Sequence, residues 1–462
     1  MPAPDTGKIA LFIAVLAGFI TPFDLSAVNI ALPTIANEFS MDAISMGWVA
    51  TAYLLASCIF LVPFGRIADI WGRKKIFLAG LSIFTVSSLV MIFSTSALMI
   101  IFVRVAQGMG AALIFGTAVA ILTSVTPPAG RGRALGIYTT AIYLGLSMGP
   151  FIGGFLTQHF GWRSIFLINL PLGIFTIALL AWGLPGEWAD ARGERFDLKG
   201  AVQYALSLIC VMYGFTLLPG VYGILLVLAG LVMLAIFVIR ELRIPFPLLD
   251  ITLFRDNRVF AFSNIAALIN YSATFAITFF LSLYLQYVKG FPAGYAGTIL
   301  VVQPVMQALL STYAGRLSDR IEPGKIASAG MALTATGLLL LVTIDATTSL
   351  AFLIATLALL GIGFALFSSP NTNAIMSSVE KRNYGVASGT LGTMRLVGQM
   401  LSMGIAMMIL AMVVGKVAIT DALYPQLLTS MHYGFLIFFV LCVAGIFFSL
   451  VRGKVRDDRC SP

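Results

Sequence analysis

Long apolar stretches alternate with short polar ones from one end of the chain to the other. The apolar runs fall at about 9–32, 45–65, 76–95, 98–122, 133–157, 163–184, 198–217, 220–240, 259–286, 294–314, 326–344, 348–370, 385–413 and 431–451. A helix needs roughly 20 such residues to cross the hydrocarbon layer. In lipid each spanning segment must satisfy its own backbone hydrogen bonds, so the runs predict about fourteen transmembrane helices. Two of them, 259–286 and 385–413, are long enough to include an interfacial turn. No small-residue cleavage site follows a short apolar core near the start, so the first run is expected to be retained as helix 1.

Composition turns this pattern into a solvent. The 462 residues are 59% hydrophobic and 10% charged, against about 25% charged in a soluble domain. The mean hydropathy is +0.99. Polar surface cannot cover an apolar excess of that size, which leaves the lipid bilayer as the solvent. The net charge of +9 does not point to nucleic acid, because the basic residues form no clustered face. With the N-terminus inside, 23 of the 28 Lys and Arg fall on the inner side, including Lys8, Arg382, Arg452, Lys454, Arg456 and Arg459. Only Arg163, Lys289 and Lys416 fall outside, and Arg104 and Arg395 lie within spans. An odd number of helices would scramble this partition. An even number is expected, with both termini cytoplasmic in a multi-pass cell (inner) membrane protein. Three of the four cysteines, Cys58, Cys210 and Cys442, sit in apolar runs and Cys460 in the tail, so no disulfide framework is expected. His159 and His432 fall at loop edges, and no metal site is expected.

The chain also repeats. Gly65-Arg66-Ile67-Ala68-Asp69 recurs as Gly315-Arg316-Leu317-Ser318-Asp319, and Arg133 to Gly136 with Gly149 recurs as Arg382 to Gly385 with Gly398. The two offsets nearly agree, which argues for duplicated halves. The expected organisation is a six-helix bundle over 1–185, an inserted helix pair with its flanking loops over 186–255, and a second six-helix bundle with the tail over 256–462. Halves in the same orientation place a site along their interface, near the midplane.

Four segments carry candidate chemistry. Between helices 2 and 3, Gly65, Asp69, Gly72, Arg73 and Lys74 put small residues and paired charges at a cytoplasmic mouth, where they can form a latch that breaks on inward opening. A merely topogenic basic loop is the plainer reading. In helix 4, Arg104 must face a polar interior or a partner, because an uncompensated cation there costs about 2.5–3.5 kcal/mol on insertion scales; an arginine snorkelling outward is the alternative. In helix 5, Gly145, Gly149 and Gly153 lie on one face and let a neighbouring backbone approach, while Pro150 permits a bend. Gly136 and Gly154 complete that pattern. In helix 1, Asp24 is the one acidic residue well inside an apolar span, which makes it a functional candidate, with a structural ion pair as the plain alternative.

These segments resemble motifs of the major facilitator superfamily. The 2–3 loop matches the family's gating loop at Gly65, Asp69, Gly72, Arg73 and Lys74. Arg104-Val-Ala-Gln107-Gly108 matches its helix-4 motif, where the arginine is associated with proton coupling. Gly136, Gly145, Gly149, Pro150, Gly153 and Gly154 resemble the antiporter motif of its exporters. The stretch Pro22–Ile35, the stretch Trp48–Leu54 and the run Trp162 to Asn169-Leu-Pro171 resemble motifs of the fourteen-helix drug:proton antiporters. The resemblance implies an all-α major facilitator fold with two six-helix bundles, no enzyme activity, no cofactor, and protons as the coupling ion. The second loop motif breaks down after Asp319, and the repeat equivalent of Asp24 is Thr274, so proton chemistry is expected in the first half.

A depth count joins three residues. At 1.5 Å per residue, Asp24 and Tyr53 each lie ~12 Å below the outer ends of their helices, and Arg104 ~8–9 Å below the same surface. An Asp24–Arg104 pair with Tyr53 nearby is the expected proton site. Polar residues within the remaining spans are expected to line a central substrate cavity with Asp24: Asn270, Tyr271, Gln303, Gln307, Asn371, Asn373, Arg395 and Gln399. Abundant Phe and Met offer apolar walls. The expected function is proton-driven export of hydrophobic, often cationic drugs or toxic compounds, by a chain expected to act as a monomer. The alternative is a proton-coupled carrier of one metabolite or lipid. An ATP-driven pump is disfavoured by the lack of a Gly-x4-Gly-Lys-Ser/Thr loop, and a membrane enzyme by the lack of a His, Cys or acid cluster in the spans. Fourteen-helix peptide carriers are disfavoured because helix 1 lacks their Glu/Arg cluster.

Overall fold

The computed structural model describes residues 4–127, 130–245, 247–249, 252–380 and 384–453. Among these are fourteen helices long and apolar enough to cross a membrane, and no strand. They are α1 (Thr6–Glu38), α2 (Ala43–Trp71), α3 (Arg73–Ile92), α4 (Ala97–Val125), α5 (Arg133–Phe160), α6 (Arg163–Gly183) and α7 (Leu198–Thr216). There follow α8 (Val221–Glu241), α9 (Arg258–Val288), α10 (Ala293–Ser318), α11 (Pro323–Leu341), α12 (Leu350–Ser377), α13 (Tyr384–Val413) and α14 (Asp421–Val451). Arg382 of the second repeat lies outside the described residues, as do Lys454, Arg456, Arg459 and Cys460 of the tail.

Local chemistry sets the helix ends. The side chain of Asp42 accepts from the Ser45 amide at 2.7 Å, Ser96 from Met99 at 3.2 Å and Asn257 from Phe260 at 2.9 Å, which starts α2, α4 and α9. At the end of α2, Gly72 takes φ +124°, a conformation that joins α2 to α3 with no intervening loop. Helix α2 therefore continues to Trp71 instead of ending near residue 65. Of the two longest runs, α9 breaks its α-helical pattern at Phe275 and ends in a π-helical turn, Tyr284–Val288, whereas α13 is unbroken.

The two halves use one packing scheme. In the first, α1 lies against α5, α4 against α2 and α3, and α3 against α6. In the second, α9 lies against α13, α12 against α10 and α11, and α11 against α14. Helices α7 and α8 pair with each other, their backbones brought close at Gly214, Gly223 and Gly230. Asp197, at the start of α7, holds Arg240 of α8 through bonds of 2.6 and 2.7 Å. Helix α7 also touches both α2 and α13, so the pair straddles the seam between the halves.

The α2–α3 turn, the α4–α5 and α6–α7 connections and the C-terminal end of α14 share one face, called the basic end below. The halves meet at the opposite end. There Ser282 and Gln286 of α9 donate to the carbonyls of Asn29 and Ile30 of α1, at 3.1 and 2.9 Å. The Gly294 amide of α10 donates to Gln158 of α5 at 3.0 Å, and Thr51 of α2 meets Met407 of α13 at 2.9 Å. Towards the basic end, Gly65 of α2, Gly136 of α5 and Gly385, Gly389 and Gly392 of α13 have nothing among the described residues within 4 Å of the place a Cβ would take. The structure is closed at one end and parted at the other.

Candidate functional site

The deepest polar cluster forms where α1, α3, α4 and α6 converge. Asp24 is fully buried, and both of its carboxylate oxygens are engaged. Oδ2 accepts from Nη1 of Arg104 at 2.5 Å, and Oδ1 accepts from Nδ2 of Asn169 at 2.8 Å. Arg104, equally buried, donates through Nε to the Val49 carbonyl and through Nη1 to Gln107, both at 3.0 Å. Its guanidinium carbon lies 4.3 Å from the ring centre of Tyr53, whose hydroxyl donates to the Thr21 carbonyl at 3.2 Å. Gln107 donates to Ser88 Oγ at 2.9 Å, which closes the cluster towards α3. A pair of opposite charges in a low-dielectric interior needs such added hydrogen bonds to offset its desolvation. Two atoms here, Arg104 Nη2 and Asn169 Oδ1, find no hydrogen-bond partner among the described residues.

The three residues that depth counting places at one level thus meet, and three more join them. Asn169 and Gln107 sit inside stretches the sequence singles out, and the same count puts Asn169 ~9 Å below its helix end. Ser88 carries no such signal. One expectation needs correcting. Asp24 is grouped above with the substrate cavity, but in this conformation it has no exposed surface and no free oxygen. The helix rotations turn it into the first bundle, away from the seam.

The antiporter-motif face of α5 packs on α1. A Cβ on Gly149 would lie 2.5 Å from Ser26 Cβ and 2.9 Å from the Ala27 amide nitrogen, and one on Gly153 would lie 2.7 Å from Ala27 Cβ. Ser26 Oγ donates to the Leu146 carbonyl at 2.9 Å. Gly145 is in similarly close contact with the Phe19 backbone, while Gly154 and Pro150 face Ala293 and Gly297 of α10. The helix that carries Asp24 is therefore also the helix that the α5 glycines grip.

The loop motif is bonded to the linker that follows α6. Asp69 Oδ1 accepts from Arg73 Nε at 2.7 Å, and Arg73 Nη1 reaches Asp190 and Ser124, each at 2.8 Å. The amide of Lys74 donates to Glu187 at 2.8 Å, and the amide of Ala191 to the Asp69 carbonyl at 2.9 Å. Arg66 pairs with Glu194. These bonds stay with the first half and its linker, on the parted side of the structure. In the second half Asp319 Oδ1 accepts from Asn373 at 3.3 Å.

The expected cavity residues divide into two groups. Asn371 is 1% exposed; it donates to the Ser263 carbonyl at 3.0 Å and accepts from Arg452 at 2.9 Å. Arg452, one of the inner-side cations, is itself 1% exposed and also donates to Ser263, Ser449 and the Pro323 carbonyl. Asn371 and Asn373 therefore tie together the basic end of the second half and do not line a midplane cavity. At the seam, Tyr271 of α9 lies 3.4 Å from the hydroxyl of Tyr143 of α5, which meets Ser368 of α12 at 2.5 Å. Arg395 of α13 approaches Phe115 of α4, its guanidinium carbon 6.0 Å from the ring centre. Gln303 is half-buried; Gln307 and Gln399 are buried, as is Asn270, whose two amide atoms have no partner among the described residues.

Comparison with known proteins fits this architecture. The sequence model of the Major Facilitator Superfamily matches residues 14–403 and, again, 264–460. The riboflavin transporter RibZ of Clostridioides difficile (strain 630) is 31% identical, covering 84% of each chain. The multidrug resistance protein Stp of Mycobacterium tuberculosis (strain CDC 1551 / Oshkosh) is 30% identical, over 88% of this chain and 76% of its own. The crystal structure of a bacterial homolog to the human lysosomal transporter Spinster, in an inward-facing and unoccupied conformation, superposes with a TM-score of 0.70. It covers 97% of both chains at 15% identity.

Proposed function

The chain belongs to the major facilitator superfamily and is a multi-pass membrane transporter, not an enzyme, and on that premise we propose that it is a proton-coupled multidrug antiporter. Its cargo is hydrophobic drugs or toxic compounds, expelled in exchange for protons, with the basic end cytoplasmic. The observation that carries this reading is the buried Asp24–Arg104 pair on the helix gripped by α5. Adding a proton to Asp24 removes the charge that holds Arg104. Arg104 then keeps only its bonds to Val49 and Gln107, and α1 is released to shift against α4. Because α1 packs through Ser26 and Ala27 into the glycine face of α5, a shift there is passed to the α5–α10 contact that closes the outer end. The proton thus acts on the element that opens one side and closes the other. Cationic cargo, the class expected when Asp24 is counted as a cavity residue, would have to displace Arg104 or Asn169 to reach that carboxylate.

The likeness to a riboflavin transporter supports, as a second reading, a carrier for one defined metabolite. Everted vesicles supplied externally, in turn, with a panel of hydrophobic dyes and with riboflavin distinguish the two. Accumulation of several unrelated dyes on imposing a pH gradient supports multidrug antiport, and riboflavin alone supports the second reading. Uptake that ignores the gradient for every compound refutes proton coupling.

A further inference from the structure

Charge on the seam between the halves is unbalanced. Asp24, the carboxylate deep in the spans, is enclosed in the first bundle with both oxygens engaged. Of the two guanidiniums deep within spans, Arg104 is neutralised by Asp24. Arg395 is not: among the described residues no carboxylate pairs with it, and its recorded contact is the face of Phe115 across the seam. It lies partly exposed on α13, near enough to Tyr138 of α5 and Tyr271 of α9 for its charge to act on both hydroxyls. The Tyr138 hydroxyl is buried and without a partner among the described residues. Tyr271 meets the ring of Phe364 edge-on at 5.6 Å.

The two fully buried guanidiniums are fixed by their surroundings, Arg104 by Asp24 and Arg452 by Asn371, Ser263 and Ser449. Arg395, partly exposed, has no such partner among the described residues: it faces the Phe115 ring of the other half, and the Tyr138 phenol on that half is unused. A ligand that completes this site carries an acidic group for the guanidinium and a flat apolar body for the rings. A hydrophobic cation in the same place would meet Arg395 with like charge. We propose that the seam around Arg395, Phe115, Tyr138 and Tyr271 is the cargo site and that it selects amphipathic aromatic anions. This rests on the transporter reading for the direction of movement only. An anion expelled from a negative interior is driven outward by the membrane potential as well.

The test is equilibrium binding, which needs no gradient. The purified full chain in detergent is titrated calorimetrically with naphthalene-2-acetate, with its neutral amide and with a naphthylmethyl-trimethylammonium ion. The carboxylate should bind about tenfold tighter than the amide, the factor that about 1.4 kcal/mol of charge-assisted bonding gives. Arg395→Gln should bring the two to within about twofold, its fold checked independently by an unchanged size-exclusion profile and thermal melt. Should that variant not fold, Arg395→Lys carries the test and should retain a reduced preference for the carboxylate. Equal binding of carboxylate and amide by the wild type overturns the proposal, as does tightest binding of the cation or a preference unchanged in Arg395→Gln. Failure of the antiport reading looks different: the wild type binds the carboxylate but does not accumulate it when a pH gradient is imposed.

Discussion

Replacing Asp24 by Asn removes one charge and changes little else. The side chains are nearly the same size, and an amide oxygen can still accept from Arg104. Arg104 is left charged, fully buried and without its 2.5 Å counter-ion. Breaking a buried pair from one side costs about 3–5 kcal/mol in soluble proteins. The bonds of Arg104 to Val49 and Gln107 survive, which places the variant at the lower end, folded but less heat-stable. The transport consequence is larger than the stability one. One proton exchanged per cargo gives a limiting accumulation of about tenfold per unit of pH gradient, since one pH unit is worth 1.36 kcal/mol. Without a titratable group at position 24 that factor should fall to about one. Movement of cargo down its own gradient needs only the rocking of the halves and should persist. The assay is paired: dye accumulation in everted vesicles under an imposed pH step, and counterflow of the same dye without one. Loss of the first with retention of the second supports the assignment. If Asp24→Asn vesicles still concentrate the dye several-fold under the pH step, the coupling group lies elsewhere.

Gly149→Val should overpack α5 against Ser26 and Ala27 at a cost of about 1–3 kcal/mol, lowering thermal stability and export, because rigid groups of α1 occupy the space. Gly136→Val meets nothing among the described residues and should leave stability unchanged, yet slow turnover if the basic end closes during the cycle; equal thermal loss in both variants would contradict this geometry. Asp69→Asn should express normally, because Arg73 keeps Asp190 and Ser124, but transport poorly; normal turnover would reduce the loop to a topology signal. Outside the membrane, burial raises the Asp197 carboxyl, but bonds from Arg240 and the Gly200 amide, with the charges of Arg240 and Lys199, outweigh it and hold the group below the ordinary carboxylate range. Its grip on α8 is complete above the unfolded value and is lost as pH falls through the lowered one, so acid should loosen the α7–α8 pair. Asp197→Asn should flatten that acid limb in a thermal-shift series, and an unchanged limb would argue against the bond.

The number of spans and the doubling of the chain were legible in the sequence because each depends on local quantities. Insertion follows the hydropathy of one segment at a time, and a duplicated loop such as Gly65–Asp69 and Gly315–Asp319 repeats in order. Depth was legible too, since a fixed rise per residue puts Asp24, Arg104 and Tyr53 at one level before any contact is known. Rotation was not. A span that is apolar on nearly every face carries little record of which face looks inward. Only packing against α4 and α6 turned Asp24 into the first bundle and gave it Asn169, with Ser88 and Gln107 closing the cluster around Arg104. The same applies to Asn371, which reads as a cavity residue along the chain. The tertiary fold brings the end of α14 back onto α9 and α12 and makes Asn371 the partner of Arg452, a cation that sequence assigns only to the inner side. Tertiary structure also decided which end of the molecule is closed, because Thr51 and Met407, or Gln158 and Gly294, become neighbours only once the two halves meet.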